Sequence, residues 1–203
     1  MNKIIKDALA LTAITLVAGL ALGGVYEITK DPIAEQEILK KQRACKEVFA
    51  DADEFETVEL TEELASQIRT ALDADGYAAQ EITEIMEAID ASDNSLGYVL
   101  TVVSGEGYGG DIQFSVGIQS DGTVNGISIL SISETAGLGM NAANEEFKSQ
   151  FANKNVDAFV VTKKGAAADN EIDALSGATV TTKAMANGVN AGICAFEVLE
   201  GGN

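Results

Sequence analysis

The apolar positions of this chain change period several times, and each change marks an element. From Ala8 to Val25 the run is apolar and uncharged, with Lys3 and Lys6 ahead of it. This is about the minimum for a helix across the hydrocarbon core and exceeds the roughly 7–15 residues of a signal-peptide core. The pattern predicts a membrane anchor over residues 1–31; a cleaved signal peptide, with Leu20-Ala-Leu-Gly-Gly as its cleavage region, is the alternative. Lysines before the span and acidic residues after it predict a cytoplasmic N-terminus and an extracytoplasmic domain. Residues 32–95 are expected to form an acidic helical segment. Its first helix runs from Ile33 to Phe49, with Pro32 tolerated near the first turn. A second is capped by Thr61 and carries Leu64, Ile68 and Leu72 on one face. A third covers Glu81–Ala91, with Ile82, Ile85, Met86 and Ile89 at helical spacing.

From Gly97 the period becomes two. Gly97–Ser104, Asp111–Ile118 and Thr123–Ser133 are rich in Val, Ile, Thr and Tyr and predict the strands of an antiparallel meander. Gly105–Gly110 joins the first pair, and Ser120-Asp121-Gly122 makes a tight turn to the next strand. Asn144–Phe151 predicts a short helix with Phe147 and Phe151 inward, Val156–Thr162 a strand, and Ala166–Asn170 a loop. Lys183–Leu199 predicts a helix with Val189, Ile193, Phe196 and Leu199 on one face. The fold class is therefore α+β: an antiparallel sheet with flanking helices over residues 96–203, behind the helical segment and the anchor.

Composition narrows the chemistry. The 203 residues carry a net charge of −19, which disfavours nucleic acid as a partner. There is no histidine, which excludes His-based zinc sites and Ser-His-Asp or Cys-His catalysis within the chain. Cys45 and Cys194 cannot hold an iron–sulfur cluster alone, and the sequence leaves open whether they pair or stay as buried thiols. Asp73-Ala-Asp75-Gly76 fails as a calcium loop, because aligning Gly76 with the obligatory glycine puts Ala71 and Ile82 at ligand positions. Gly105, Gly107 and Gly110 spell G-x-G-x-x-G, but a strand follows rather than a helix, so a hairpin is the better reading than a dinucleotide site. Redox chemistry here requires an organic cofactor.

The candidate chemistry lies in Asp173-Ala-Leu-Ser176-Gly177-Ala178-Thr179-Val-Thr181-Thr182. A hydroxyl cluster before a helix is commonly just an N-cap, yet a helix N-terminus also favours a phosphate. Asp173-x-x-Ser176-Gly177-Ala178-Thr179 resembles the flavinylation motif of the FMN-binding domain family. That family includes the C subunit of the sodium-translocating NADH:quinone oxidoreductase and the G subunit of the Rnf-type ferredoxin:NAD oxidoreductase. Ser133-Glu134-Thr135-Ala136-Gly137-Leu138-Gly139 is similar to its Glu-Thr-Pro-Gly-Leu-Gly loop, with Ala136 in place of proline. Gly107-Tyr-Gly-Gly-Asp111 is similar to its glycine-rich segment.

The resemblance implies FMN joined through a phosphodiester to Thr179 by a separate flavin transferase. It also implies that Ser176, Gly177, Ala178, Asp173, Thr181, Thr182, Glu134, Thr135, Gly137 and Leu138 serve the cofactor. The lysine-led anchor and the layout most resemble the Rnf-type G subunit. The implied function is an electron-carrying subunit of a membrane complex that couples ferredoxin and NAD to Na+ or H+ movement, not catalytic alone. The alternatives are the C subunit of the quinone-reducing relative, a lone extracytoplasmic flavin carrier, and a cofactor-free tethered binding domain.

Overall fold

The computed structural model describes residues 3–201. Contacts divide the chain into two units, residues 1–42 and 43–203. The first consists of most of helix α1 (Lys3–Val48), whose apolar side chains such as Leu11, Ile14, Val17 and Leu20 are exposed. It is long and apolar enough to cross a membrane. The helix runs through Pro32 without interruption. The sequence predicts a new helix there; instead one donor is lost and the turns on either side continue.

The second unit is built on a sheet of strands β1 (Glu54–Val58), β2 (Gln80–Ile89), β3 (Ser95–Ser104), β4 (Ile112–Gln119) and β5 (Val124–Ser131). They lie in chain order, every neighbour antiparallel. The meander from Gly97 onward is as expected; β1 and β2 are not. The segment 32–95 is mixed rather than helical, and Glu81–Ala91 is a strand.

The cause of that error is a bulge. The β2–β3 register shifts between Ile82 and Glu84, leaving Thr83 outside the ladder with its hydroxyl donating to Thr101 O at 3.3 Å. The extra residue turns Ile82 and Ile85 toward the same core, although a regular strand would place them on opposite faces. A strand with a bulge thus imitates the three-residue spacing of a helix.

The two faces of the sheet are covered differently. Leu100, Val102, Phe114, Val116 and Ile118 pack against helix α4 (Thr179–Gly201), which contributes Met185, Val189 and Ile193. Helix α2 (Glu62–Ala74) adds Ile68 and Leu72 to this core, and Thr61 caps it by accepting from Leu64 N–H, as predicted. On the opposite face Ala88 and Val99 meet Cys45, Val48, Phe49 and Ala52, where α1 ends. Both cysteines are buried thiols outside any disulfide, and they belong to these two different clusters. Burial, with Asp75 nearby, pushes the Cys194 thiol up to about 11.

After β5 come a 3₁₀ turn (Gly139–Ala143), the single-turn helix α3 (Glu145–Lys148) and a second 3₁₀ turn (Ser149–Phe151). Phe147 and Phe151 point inward as expected, and Phe151 stacks edge-on against Phe159, ring centroids 5.1 Å apart. The predicted strand Val156–Thr162 shortens to β6 (Val160–Thr162). It pairs in parallel with β7 (Glu171–Asp173), which the sequence pattern does not predict. That small ladder delivers the chain to the start of α4, and so to the site.

Candidate functional site

Ala178 N–H closes a turn onto Leu175 O at 3.0 Å, with Gly177 at φ +74°, a value that favours glycine. The next residue, Thr179, opens α4, and Ala178 O accepts the first helical bond from Thr182 N–H at 3.0 Å. The helix therefore begins four residues earlier than the apolar spacing predicts, so Thr179 and Thr181 sit inside its first turn. N–H groups there have no intrahelical acceptor and face outward, at the positive end of a 23-residue helix.

The neighbouring hydroxyls differ in what they do. Thr182 Oγ1 is buried, donates to Ala178 O at 2.9 Å and accepts from Leu175 N–H at 3.0 Å. It fastens the turn and faces no ligand. Thr179 is half-buried, makes no hydrogen bond through its hydroxyl among the described residues, and lines a cavity of about 550 Å³. Gly177, Ala178 and Thr181 line the same cavity.

The opposite wall is the loop after β5. Glu134, Thr135 and Leu138 all line the cavity, Leu138 with 42 % of its surface exposed. Glu134 Oε1 accepts from Tyr108 N–H at 2.7 Å, so the β3–β4 loop is tied to the β5 loop at the edge of the cavity. Gly139 permits a close approach: a Cβ there would lie 2.6 Å from Thr181 Oγ1 and 2.7 Å from Glu134 Oε2. Farther along the β3–β4 loop, Glu106 Oε2 accepts from Gln80 Nε2 at 2.8 Å and from Asn187 Nδ2 at 2.6 Å. Of the G-x-G-x-x-G glycines, Gly107 makes room for Gly110 O and Glu134, and Gly110 takes φ +121°, so both shape the loop.

Thus Thr179, Gly177, Ala178, Thr181, Glu134, Thr135 and Leu138 converge from separate segments, while Ser176, Asp173, Thr182 and Gly137 do not line the cavity. Ser176 is exposed on the turn. Asp173 ends β7, its N–H donating to Gln150 Oε1 at 2.6 Å. Gly137, at φ +76°, shapes the β5 loop from outside the wall. Tyr108, Gly139 and Val180 complete the lining, although the sequence does not single them out. All three lie within segments already marked, so proximity along the chain is the available signal.

Tyr108, Leu138 and Val180 are among the few large apolar side chains exposed outside α1, and all three border this cavity. Its volume is that of a small-molecule site, its apolar rim suits a planar ring, and its helix N-terminus with a free hydroxyl suits a phosphate. These features fit FMN.

Similarity to known proteins agrees with that fit. Residues 107–193 match the FMN-binding domain model, and residues 1–48 match that of the RnfG N-terminal region. The crystal structure of Shewanella oneidensis NqrC shares the fold, with a TM-score of 0.50 and 19 % identity over 59 % of each chain. The chain thus carries an FMN-binding domain behind a membrane-type helix.

More particularly, it is 31 % identical to the G subunit of the proton-translocating ferredoxin:NAD(+) oxidoreductase complex of Clostridium ljungdahlii, over 99 % of this chain and 96 % of that one. It is 32 % identical to the G subunit of the Na(+)-translocating ferredoxin:NAD(+) oxidoreductase complex of Acetobacterium woodii, over 97 % and 93 %. The chain belongs to the G-subunit family of these ion-translocating (Rnf) oxidoreductase complexes.

Proposed function

We propose that this protein is the electron-carrying G subunit of a membrane complex that couples electron flow between ferredoxin and NAD to translocation of Na+ or H+. It holds FMN covalently, through a phosphodiester on Thr179. One observation supports the linkage above the others: Thr179 is a helix N-terminal residue that lines the cavity with its hydroxyl unengaged among the described residues, whereas the Thr182 hydroxyl nearby both donates and accepts. Thr179 Oγ1 supplies the ester oxygen, and Gly177 and Ala178 leave it accessible to a flavin transferase. The first-turn N–H groups of α4 hold the remaining phosphate oxygens. Leu138, Val180 and Tyr108 shield the ring from water.

The bound flavin supplies the electron-transfer chemistry; the protein supplies position and electrostatics. The chain is single-pass, with its N-terminus cytoplasmic and the domain extracytoplasmic, where a covalent bond prevents loss of the cofactor. It works with the other subunits of the complex and does not catalyse the overall reaction by itself.

The test is the intact mass of wild type and Thr179→Ala after coexpression with a flavin transferase, read with in-gel fluorescence. The wild type should gain the mass of FMN less water and fluoresce, and Thr179→Ala should do neither. A wild type without added mass beside an active transferase would sink the covalent reading and favour a cofactor-free tethered domain.

A further inference from the structure

Glu134 stands in the wall of the cavity yet is only 8 % exposed. Its carboxylate fills the gap where two loops close on each other. Oε1 takes the Tyr108 N–H at 2.7 Å. A Cβ at Gly107 would come within 3.1 Å of Oε1, and one at Gly139 within 2.7 Å of Oε2. Glycine on both sides makes room for this one side chain.

Holding the loops together uses one oxygen. Oε2 has no hydrogen bond among the described residues, and it is not sealed off, because Glu134 opens onto the cavity. Thr181 Oγ1 approaches the same point beside Gly139, also without a partner among those residues. An oxygen that opens onto the cavity and has no donor among the described residues is free to take one from whatever displaces water there.

We infer that Glu134 has two separate tasks, resting on the flavin reading above. Oε1 latches the β3–β4 loop, and Oε2 accepts a hydrogen bond from an N–H or O–H of the bound flavin, placing a fixed negative charge against it. Reduction adds negative charge to a flavin, and a carboxylate in contact opposes that addition more strongly in a partly desolvated cavity than in water. Glu134 therefore sets the potential of the flavin at a low value, in addition to shaping its pocket.

The experiment uses the full chain loaded with FMN by a coexpressed transferase, with intact mass confirming the load. Midpoint potentials are measured spectroelectrochemically for wild type, Glu134→Gln and Glu134→Asp, and melting temperatures for the same proteins without flavin. Glutamine keeps an oxygen for Tyr108 N–H, so E134Q should melt with the wild type while its potential shifts positive. Aspartate keeps the charge but draws it back from both Tyr108 and the flavin, so E134D should melt lower, with a positive shift smaller than that of E134Q.

If E134Q does not fold, Gly139→Ala offers a second route: its methyl would lie 2.6 Å from Thr181 Oγ1, 2.7 Å from Glu134 Oε2 and 2.8 Å from Glu134 Cβ, so the carboxylate must move and the potential should shift in the same direction by less. A loaded E134Q with the wild-type potential overturns the inference, as does an E134D shift equal to that of E134Q. A wild type that accepts no FMN overturns the parent reading and this one together, and the mass alone reveals that case.

Discussion

At the scale of single residues, two threonines in one helical turn divide the work of the site. Thr182 has lost its freedom to the backbone, closing the turn from Leu175 to Ala178 with both a donated and an accepted bond. Replacing it with valine keeps the shape but leaves the Leu175 N–H without its acceptor, while Ala178 O keeps the Thr182 N–H. Thr182→Val should therefore cost about 1–3 kcal/mol of stability in the flavin-free protein. Thr179→Ala removes no hydrogen bond and should melt with the wild type. Parallel thermal melts check this pair, and equal loss in both would mean that the division does not exist. The sequence marks both threonines as cofactor residues because each belongs to a hydroxyl-rich motif. Only the geometry separates them, since a side chain's orientation in a first turn depends on where the helix starts. Here the start is set by Gly177 and the β6–β7 ladder, features that apolar periodicity does not report.

At the scale of elements, what the sequence revealed depended on whether a pattern was local. Helix α2 was legible because its cap and its apolar face are contained in one stretch. The meander β3–β4–β5 was legible through alternation and short turns. Strand β2 was not, since a bulge at Thr83 places Ile82 and Ile85 on one face. Strand β7 was missed because a three-residue strand holds too little pattern to see.

Contacts distant in sequence were hidden in the same way. Glu47, in the last turn of α1, accepts from Ser128 on β5 at 2.6 Å and pairs with Lys148 on α3. Burial pushes Glu47 upward, but its bonds to Lys148 and Ser128 outweigh that and hold it below its ordinary 4.5. Burial likewise pushes Lys148 down, and its bonds to Glu47 and Glu145 leave it above 10.5. The signs follow by linkage. Glu47's share of stability is present above the ordinary glutamate value and is lost as pH falls through the folded one. Lys148's share is present below the ordinary lysine value and is lost as pH rises through the folded one. Both shares are in place at neutral pH. Lys148→Met should cost about 0.5 kcal/mol there, after discounting for Glu47's solvent exposure. The gap to wild type should close as the pH is taken below 4.5. Urea denaturation along a pH series measures it, and a gap that persists in acid would exclude the pair as its source.

At the scale of the whole molecule, one helix belongs to two compact units, and the place where it changes allegiance is open to test. The sequence puts the end of the anchor at Asp31, where polar residues and Pro32 begin; the contacts put the beginning of the folded unit at Arg43. Between those points α1 buries nothing deeply, whereas Ala44, Cys45 and Val48, with Phe49 beyond the helix end, enter the core. A chain begun at Asp31 should therefore be soluble without detergent and as stable as the detergent-solubilised full chain. One begun at Ala50 strips Ala88 and Val99 of their cover on that face of the sheet. Full burial of one large apolar side chain contributes about 1.5–3 kcal/mol, so losing Val48 and Phe49 together removes about 3–6 kcal/mol. Small domains have on the order of 5–15 kcal/mol in total, so the shorter chain should be partly unfolded or aggregated. Urea midpoints of the two truncations decide the matter. Equal midpoints would mean that the end of α1 only spaces the domain from the membrane, whereas a collapse limited to the shorter chain would make that end a structural part of the flavin domain.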